Sequence, residues 1–266
     1  MNLSIAIKKV HDYLAKNIVI NPMLESIIIA RYVLKKDDMF ILSNPNLNIN
    51  LFDYKKMIKI AKKRIDGYPL SYITHKKEFM GLEFYVNKNV LIPRPETENL
   101  VEHAIEYINK YRFKNILDLC TGSGSIAISI QRFTNANVIA SDISYSALRV
   151  AFINKTFLKS NIFLINCNLL NCFKSGFDVI VSNPPYILPS EFETLSKEVK
   201  HEPKIALLCD EKYELIEKII KKSKNLTKYL MLEISPNMRK FLESFQEFLY
   251  IKKDYANKDR IAVFKF

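Results

Sequence analysis

The 266 residues are 48% hydrophobic and 26% charged, ordinary proportions for a folded protein and enough chain for one large domain or a domain with a smaller companion. A net charge of +12 makes the surface basic, which suits nucleic acid, ribosomes or an acidic protein partner without choosing among them. Four cysteines with no CxxC pair, four histidines at no ligand-like spacing, no apolar run of ~18 residues and no signal-peptide pattern argue against a zinc centre, a disulfide framework and a membrane span, and fit reduced thiols in the cytoplasm.

Residues 1–75 read as a helical domain. Ile5, Val10 and Leu14 recur at helical spacing, and Asn21-Pro22 reads as a cap with proline at the first helical position ahead of the apolar run 24–34. An amphipathic stretch over 51–65 closes at Asp66-Gly67. This domain carries half of the excess positive charge, twelve Lys/Arg against six Asp/Glu, but no glycine-rich loop and no acid cluster, so recognition is expected of it rather than chemistry. Lys62-Lys63-Arg64 and Lys221-Lys222-Ser223-Lys224 read as solvated helix faces.

Residues 76–95 form a linker. Phe79, Leu82, Phe84, Val86 and Val90 suggest a hairpin or an extended strip, ended by Pro93-Arg94-Pro95. Glu96-Thr97-Glu98 then opens a helix with Leu100, Val101, Ala104, Ile105 and Ile108 on one face, its early acids suiting the helix dipole.

From residue 96 to 266 strands and helices alternate. Strands are expected over 115–119, 137–140, 162–165, 177–182 and 229–234, helices from Ser125, from Ser144 and over 211–222, and an antiparallel pair over 250–252 and 261–266. Repeated βα units imply an α/β fold, a mainly parallel sheet covered on both faces, with ligands bound at the carboxyl ends of its strands.

Chemistry is expected at four of those ends. The loop Asp118-Leu119-Cys120-Thr121-Gly122-Ser123-Gly124 lies between a strand and a helix, and its glycines allow a turn tight enough for a ligand to rest against the helix start. Gly122, Gly124 and Ala127 also match a dinucleotide fingerprint, so the loop alone leaves the nucleotide open. Asp142, ending the next strand, is placed to accept two ribose hydroxyls or else to cap the following helix. Asn168-Leu169 would border an adenine. The apolar run Phe177-Asp178-Val179-Ile180-Val181-Ser182 stops at Asn183-Pro184-Pro185-Tyr186, where neither proline has a backbone N–H and nearby carbonyls are free to accept from a ligand. A planar amide (Asn183) and an aromatic ring (Tyr186) beside those carbonyls make a cradle for a flat, neutral NH2 group. A plain strand-ending turn is the alternative.

Together these motifs resemble the seven-stranded, Rossmann-like S-adenosylmethionine-dependent methyltransferases, and within them the bacterial peptide-chain release factor glutamine N5-methyltransferases, the HemK-like family. The resemblance rests on Leu91-Ile92-Pro93-Arg94-Pro95-Glu96-Thr97-Glu98, the Asp118–Gly124 loop, Asn183-Pro184-Pro185-Tyr186-Ile187, Glu202-Pro203 with Ala206-Leu207, and Asp259-Arg260. It implies methyl transfer from S-adenosylmethionine to the glutamine of the Gly-Gly-Gln motif in class I release factors. Asp118, Cys120, Thr121, Gly122, Ser123, Gly124, Asp142, Asn168, Leu169 and Asn183 would bind the cofactor, and Asn183, Pro184, Pro185 and Tyr186 would act on the substrate. No metal is implied, and a monomer is expected. Cys120 stands where the family usually has glycine, Asn168 where aspartate is common, and Ser235-Pro236-Asn237 replaces a turn with glycine and glutamine. An adenine N6-methyltransferase acting on DNA or RNA is the enzymatic rival, although no aromatic-lined nucleic-acid channel is evident. A catalytically idle RNA- or ribosome-binding protein is the rival of another class.

Overall fold

The computed structural model describes residues 1–17 and 19–266. The chain divides into two units, one of residues 1–75 with 196–201 and one of residues 76–195 with 202–266.

The first unit is helical: α1 (Leu3–Lys16), α2 (Pro22–Leu34), α3 (Asp38–Ser43), α4 (Leu51–Ile65) and α5 (Leu70–Thr74). Leu3, Ala6, Val10 and Leu14 are spaced to lie on one stripe of α1 and are fully buried, against Ile29 and Val33 of α2 and Met57 and Ala61 of α4. Asp37 and Asn50 start their helices by accepting from the backbone N–H of Phe40 and Asp53, each at 2.7 Å. The Lys62-Lys63-Arg64 run is not uniformly a solvated face. Lys62 and Lys63 are exposed, but Arg64 turns inward and donates to both carboxylate oxygens of Glu25 (2.8 and 3.0 Å) and to Glu198 (2.9 Å). A guanidinium has enough fixed donors to hold two carboxylates, which is how the segment 196–201 is tied into this unit. Gly67 (φ +91°) packs so closely there that a Cβ would lie 2.5 Å from that of Lys197.

The second unit opens with a hairpin, β1 (Lys76–Phe79) and β2 (Leu82–Tyr85), joined by Met80-Gly81 with φ of +51° and +69°. Two positive φ values in a two-residue connection match the right-handed twist of the strands. There follow α6 (Pro95–Tyr111), β3 (Asn115–Leu119), α7 (Ser125–Phe133), β4 (Asn137–Asp142), α8 (Tyr145–Phe157), β5 (Phe163–Asn166) and β6 (Phe177–Ser182). After these come α9 (Lys204–Leu207), α10 (Glu214–Ser223), β7 (Thr227–Glu233), α11 (Arg239–Leu242), β8 (Phe248–Lys253) and β9 (Asp259–Lys265).

Strands β3 to β9 form the expected seven-stranded sheet, in the order β5-β4-β3-β6-β7-β9-β8, with β9 antiparallel to both its neighbours. Alternate residues feed the two faces. Ile116, Val179, Val181 and Met231 pack with Leu100 and Ile130 on one side; Leu117, Ile180, Leu230 and Leu232 pack with Ile216 and Ile220 on the other. From β3 the chain winds outward through β4 and β5 and then returns to add β6 on the other side, so a crevice opens at the carboxyl ends of β3 and β6. Helix α10 begins at Glu214, three residues later than its apolar pattern suggests, because Asp210 accepts from the backbone N–H of both Glu214 (2.6 Å) and Leu215 (3.0 Å). The described residues contain no helix long and apolar enough to cross a membrane and no cluster of His, Cys, Asp or Glu suited to a metal ion.

Candidate active site

The glycine loop is shaped from beneath. Asp118, next to last in β3, is fully buried, and its Oδ2 accepts from the Thr121 hydroxyl (2.5 Å) and the Ala127 backbone N–H (3.1 Å), which binds the loop to the first turn of α7. Burial pushes this carboxyl up to about 7, against the pull of those two donors. Cys120, Gly122 and Gly124 all take positive φ (+61°, +55° and +81°). At Gly124 the missing side chain also makes room, since a Cβ would sit 3.2 Å from that of Ala151. From above, Asp142 Oδ2 accepts from the Gly122 N–H (2.9 Å) and its Oδ1 from the Ser144 N–H (2.8 Å). Burial raises the Asp142 carboxyl, and these two N–H groups oppose the rise. Asn154, wholly buried within α8, donates to the Ser123 carbonyl (2.8 Å) and bonds Tyr85 in both directions (2.7 and 3.0 Å), so loop, helix and hairpin share one amide.

Above this loop lies a cavity with about 1070 Å³ of empty space, its open mouth included. Cys120, Thr121, Gly122 and Ser123 line it, as do Asp142, Asn168 and Leu169, and Asn183 and Pro185 close the β6 side. Ends of β3, β4, β5 and β6 thus meet at one hollow. Four residues expected at the site do not line it: Asp118 lies under the loop, Gly124 packs against Ala151, Pro184 is buried, and Tyr186 points its hydroxyl elsewhere. Burial pushes the Cys120 thiol up to about 12, so it is neutral.

The corner after β6 is held from three directions. Ser182 Oγ donates to the Leu119 carbonyl (2.6 Å), fastening the end of β6 to that of β3. Ile187 forms a parallel bridge with Leu208, through Ile187 N–H to Leu207 O (3.0 Å) and Cys209 N–H to Ile187 O (2.9 Å). The third hold is a chain of side chains. Asn183 Nδ2 donates to Thr97 Oγ1 (3.1 Å), Thr97 donates to Glu233 Oε2 (2.6 Å), and the Tyr186 hydroxyl donates to Glu233 Oε1 (3.1 Å). Burial raises the Glu233 carboxyl while the two hydroxyls and the charge of Arg260 resist.

Motifs separated in the chain also meet here. Arg94 pairs with Glu202, whose Oε2 accepts from the Ile92 N–H (3.1 Å), so the Pro-Arg-Pro segment and Glu202-Pro203 brace each other. Glu98 accepts from the N–H of Met80 (2.7 Å) and clamps the hairpin turn to α6, while Glu96 stays exposed. Asp259 accepts from Nε and Nη2 of Arg239, each at 2.6 Å. Arg260 pairs with Asp254. On the sequence Thr97 stands out only as part of a helix start and of the Pro-Glu-Thr-Glu segment, and Asn154 and Glu233 not at all, though an acid inside the apolar run Leu230-Met231-Leu232-Glu233-Ile234 is itself a signal, since a buried charge requires partners.

Residues 97–202 match the model of the methyltransferase small domain, and residues 6–74 that of the PrmC N-terminal domain. The chain is 39% identical to a release factor glutamine methyltransferase of Clostridium acetobutylicum, over 91% of its own length and 90% of the relative's. It is 36% identical to one of Buchnera aphidicola, over 100% of this chain and 99% of that one. The chain belongs to the release factor glutamine methyltransferase family. Solved structures show how widely this fold is shared. A T. thermophilus 16S rRNA methyltransferase in complex with AdoMet and guanosine matches with a TM-score of 0.53 and 15% identity, over 71% of this chain and 49% of that one. The hMettl16 catalytic domain, in complex with an RNA hairpin, matches with a TM-score of 0.55 and 13% identity, over 85% and 84%.

Enzymes of this glutamine methyltransferase family draw their methyl group from S-adenosylmethionine, and the cavity suits that molecule. Each oxygen of Asp142 spends one lone pair on a backbone N–H, which leaves one on each for a ribose hydroxyl. Among the described residues, none beyond its two chain neighbours lies within 4 Å of a Cβ built on Gly122, so the loop backbone is open to close approach. Apolar Val90, Ile126 and Leu169 among the lining residues suit a nucleoside base.

Proposed function

We propose that this protein transfers a methyl group from S-adenosylmethionine to the side-chain amide nitrogen of the glutamine in the Gly-Gly-Gln motif of a class I peptide chain release factor, giving N5-methylglutamine and S-adenosylhomocysteine. The reaction would take place in the cytoplasm, where release factors work. Asp142 with the Cys120–Ser123 backbone, Asn168 and Leu169 holds the cofactor, and the helical unit matching the PrmC N-terminal domain recognises the protein partner. The cofactor, when bound, supplies a methyl group on a positively charged sulfur.

The difficulty lies with the nucleophile, because a carboxamide nitrogen shares its lone pair with its carbonyl. The observation that carries the reading is the direction of the Asn183 amide: with Nδ2 given to Thr97, its oxygen is left to accept. Asn183 Oδ1 and a backbone carbonyl of the Pro184-Pro185 corner each take one N–H of the substrate amide, aim its nitrogen across the cavity and favour the pyramidal geometry that develops on attack. Pro185 stiffens the corner and Tyr186 shields it from water. No strong base is needed before attack, because the nitrogen proton becomes acidic once the new bond forms and then passes to water.

Labelled methyl transfer with release factor, DNA and RNA offered side by side tests this. Label on the release factor glutamine is expected; label on nucleic acid overturns the reading. Asn183→Ala should lose on the order of 10²–10³ in kcat, the scale of one preorganised contact to the reacting group. Cofactor binding measured by calorimetry should survive, and near-normal turnover would refute the cradle.

A further inference from the structure

An ionised carboxylate only accepts hydrogen bonds, a hydroxyl has a single hydrogen to donate, and a carboxamide donates at one end and accepts at the other. Glu233, which exposes 1% of its surface at the end of β7, receives the Thr97 hydroxyl at 2.6 Å, the length of a charge-assisted bond. Its other oxygen receives the Tyr186 hydroxyl. The one hydrogen of Thr97 is therefore committed to Glu233, and its oxygen has only acceptance left to offer. What lies 3.1 Å away must then be a donor, so the Asn183 amide has to turn its NH2 toward Thr97 and its oxygen outward. Reverse the first bond and the order reverses throughout. Thr97 would donate to the Asn183 oxygen, and an NH2 would face the NH2 of the substrate, donor against donor.

We propose that Glu233, acting through Thr97, is the positioning residue that sets which end of the Asn183 amide meets the substrate. The proposal rests on the reading of Asn183 as the amide cradle. The carboxylate touches no reacting atom; it imposes a polarity across two hydrogen bonds, and through Tyr186 it holds the far end of the same corner. The link joins the first turn of α6 to the end of β7, elements 136 residues apart between Thr97 and Glu233. It also gives the Thr97 position of the Pro-Glu-Thr-Glu segment a role, while Glu96 stays exposed and Glu98 clamps the hairpin.

The test is steady-state methylation of release factor by Glu233→Gln, Thr97→Val and Thr97→Ser, each alone and on an Asn183→Ala background, with calorimetric cofactor binding alongside. Gln at 233 brings a donor that can reverse the relay, and Val at 97 keeps the shape without the hydroxyl. Both should lower kcat on the order of 10²-fold, while the Kd for S-adenosylmethionine stays within about threefold. Thr97→Ser should recover most of the turnover that Thr97→Val loses. On the Asn183→Ala background, Glu233→Gln should cost less than about threefold further, because the residue through which it acts is gone. Near wild-type kcat in Glu233→Gln or Thr97→Val overturns the proposal, as does an equal loss on both backgrounds or a loss of cofactor binding in step with kcat. Should Glu233→Gln not fold, the Val and Ser pair at 97 decides. Wild-type turnover in Asn183→Ala sinks the cradle itself, whereas its loss there with full turnover in Thr97→Val sinks only the relay.

Discussion

Two carboxylates lie fully buried under the two halves of this site, and they are satisfied differently. Asp118, under the glycine loop, collects both of its donors on Oδ2, and its Oδ1 has no hydrogen-bond partner among the described residues. Glu233, under the Asn-Pro-Pro-Tyr corner, takes one hydroxyl on each oxygen and lies in the field of Arg260. The loop presents backbone, whose donors point where the turn puts them, so the acid beneath needs only to hold the turn. The corner presents a side-chain amide with two chemically different ends, so its anchor must also decide an orientation. A half-satisfied acid suffices for the first task, and the second needs both oxygens engaged.

That contrast implies that damage on the loop side shows in binding and damage at the corner shows in turnover. The largest effect outside the corner is expected at Asp142, which combines the acceptors proposed for the ribose with two backbone N–H groups. Asp142→Ala should raise the apparent KM for S-adenosylmethionine by on the order of 10–100-fold, at about 1.5–3 kcal/mol for a bond to a charged group. Steady-state kinetics at varied cofactor check it. A fall confined to kcat would break the division between the two halves.

Asp118 sharpens the same contrast through stability. Its carboxyl sits at about 7 in the folded protein against an ordinary 3.8, raised chiefly by burial. Between those values the folded state holds a proton that the unfolded state has released. Asp118 therefore costs no stability below its ordinary value, and stability falls as pH rises toward and through about 7, by up to about 1.4 kcal/mol per pH unit for one proton. Asp118→Asn should flatten that part of the profile, and urea unfolding at several pH values from 4 to 8 measures it. An unchanged slope would mean that the acid keeps its charge in the fold.

Much of the fold was legible because a sheet covered on both faces leaves apolar runs, and the turn chemistry at Gly122, Gly124 and Pro184-Pro185 marks where the runs stop. The site was legible to the extent that its residues sit at strand ends. Its supports were not. Thr97 looks like one more polar residue in a helix start, and its value comes from a strand 136 residues away. Asn154 sits inside α8 with no cue that both ends of its amide are buried and used. The segment 196–201 falls in with the helical unit through Arg64 and Glu198, a pairing that no local pattern announces. Cys120 was visible as a departure from glycine, but its cost depends on a backbone angle that only the structure supplies.

Cys120 and Leu169 share that angle, with φ of +61° and +50°, and both line the cavity. In this region a side chain costs about 1–2 kcal/mol, and replacing it by glycine relieves that strain while adding about 0.5–1 kcal/mol of unfolded-state entropy. Backbone terms alone thus favour glycine slightly at both positions. Packing separates them. Leu169 lies against the same core face as Leu117 and Ile216, so Leu169→Gly also forfeits a large apolar side chain and should destabilise by about 2 kcal/mol. Cys120 offers that face only a small thiol. Cys120→Gly should therefore stay within about 0.5 kcal/mol of wild type in urea unfolding. A loss there comparable to that of Leu169→Gly would show the thiol to be a packing element of the loop, and the loop would then depend on side chains as the corner does.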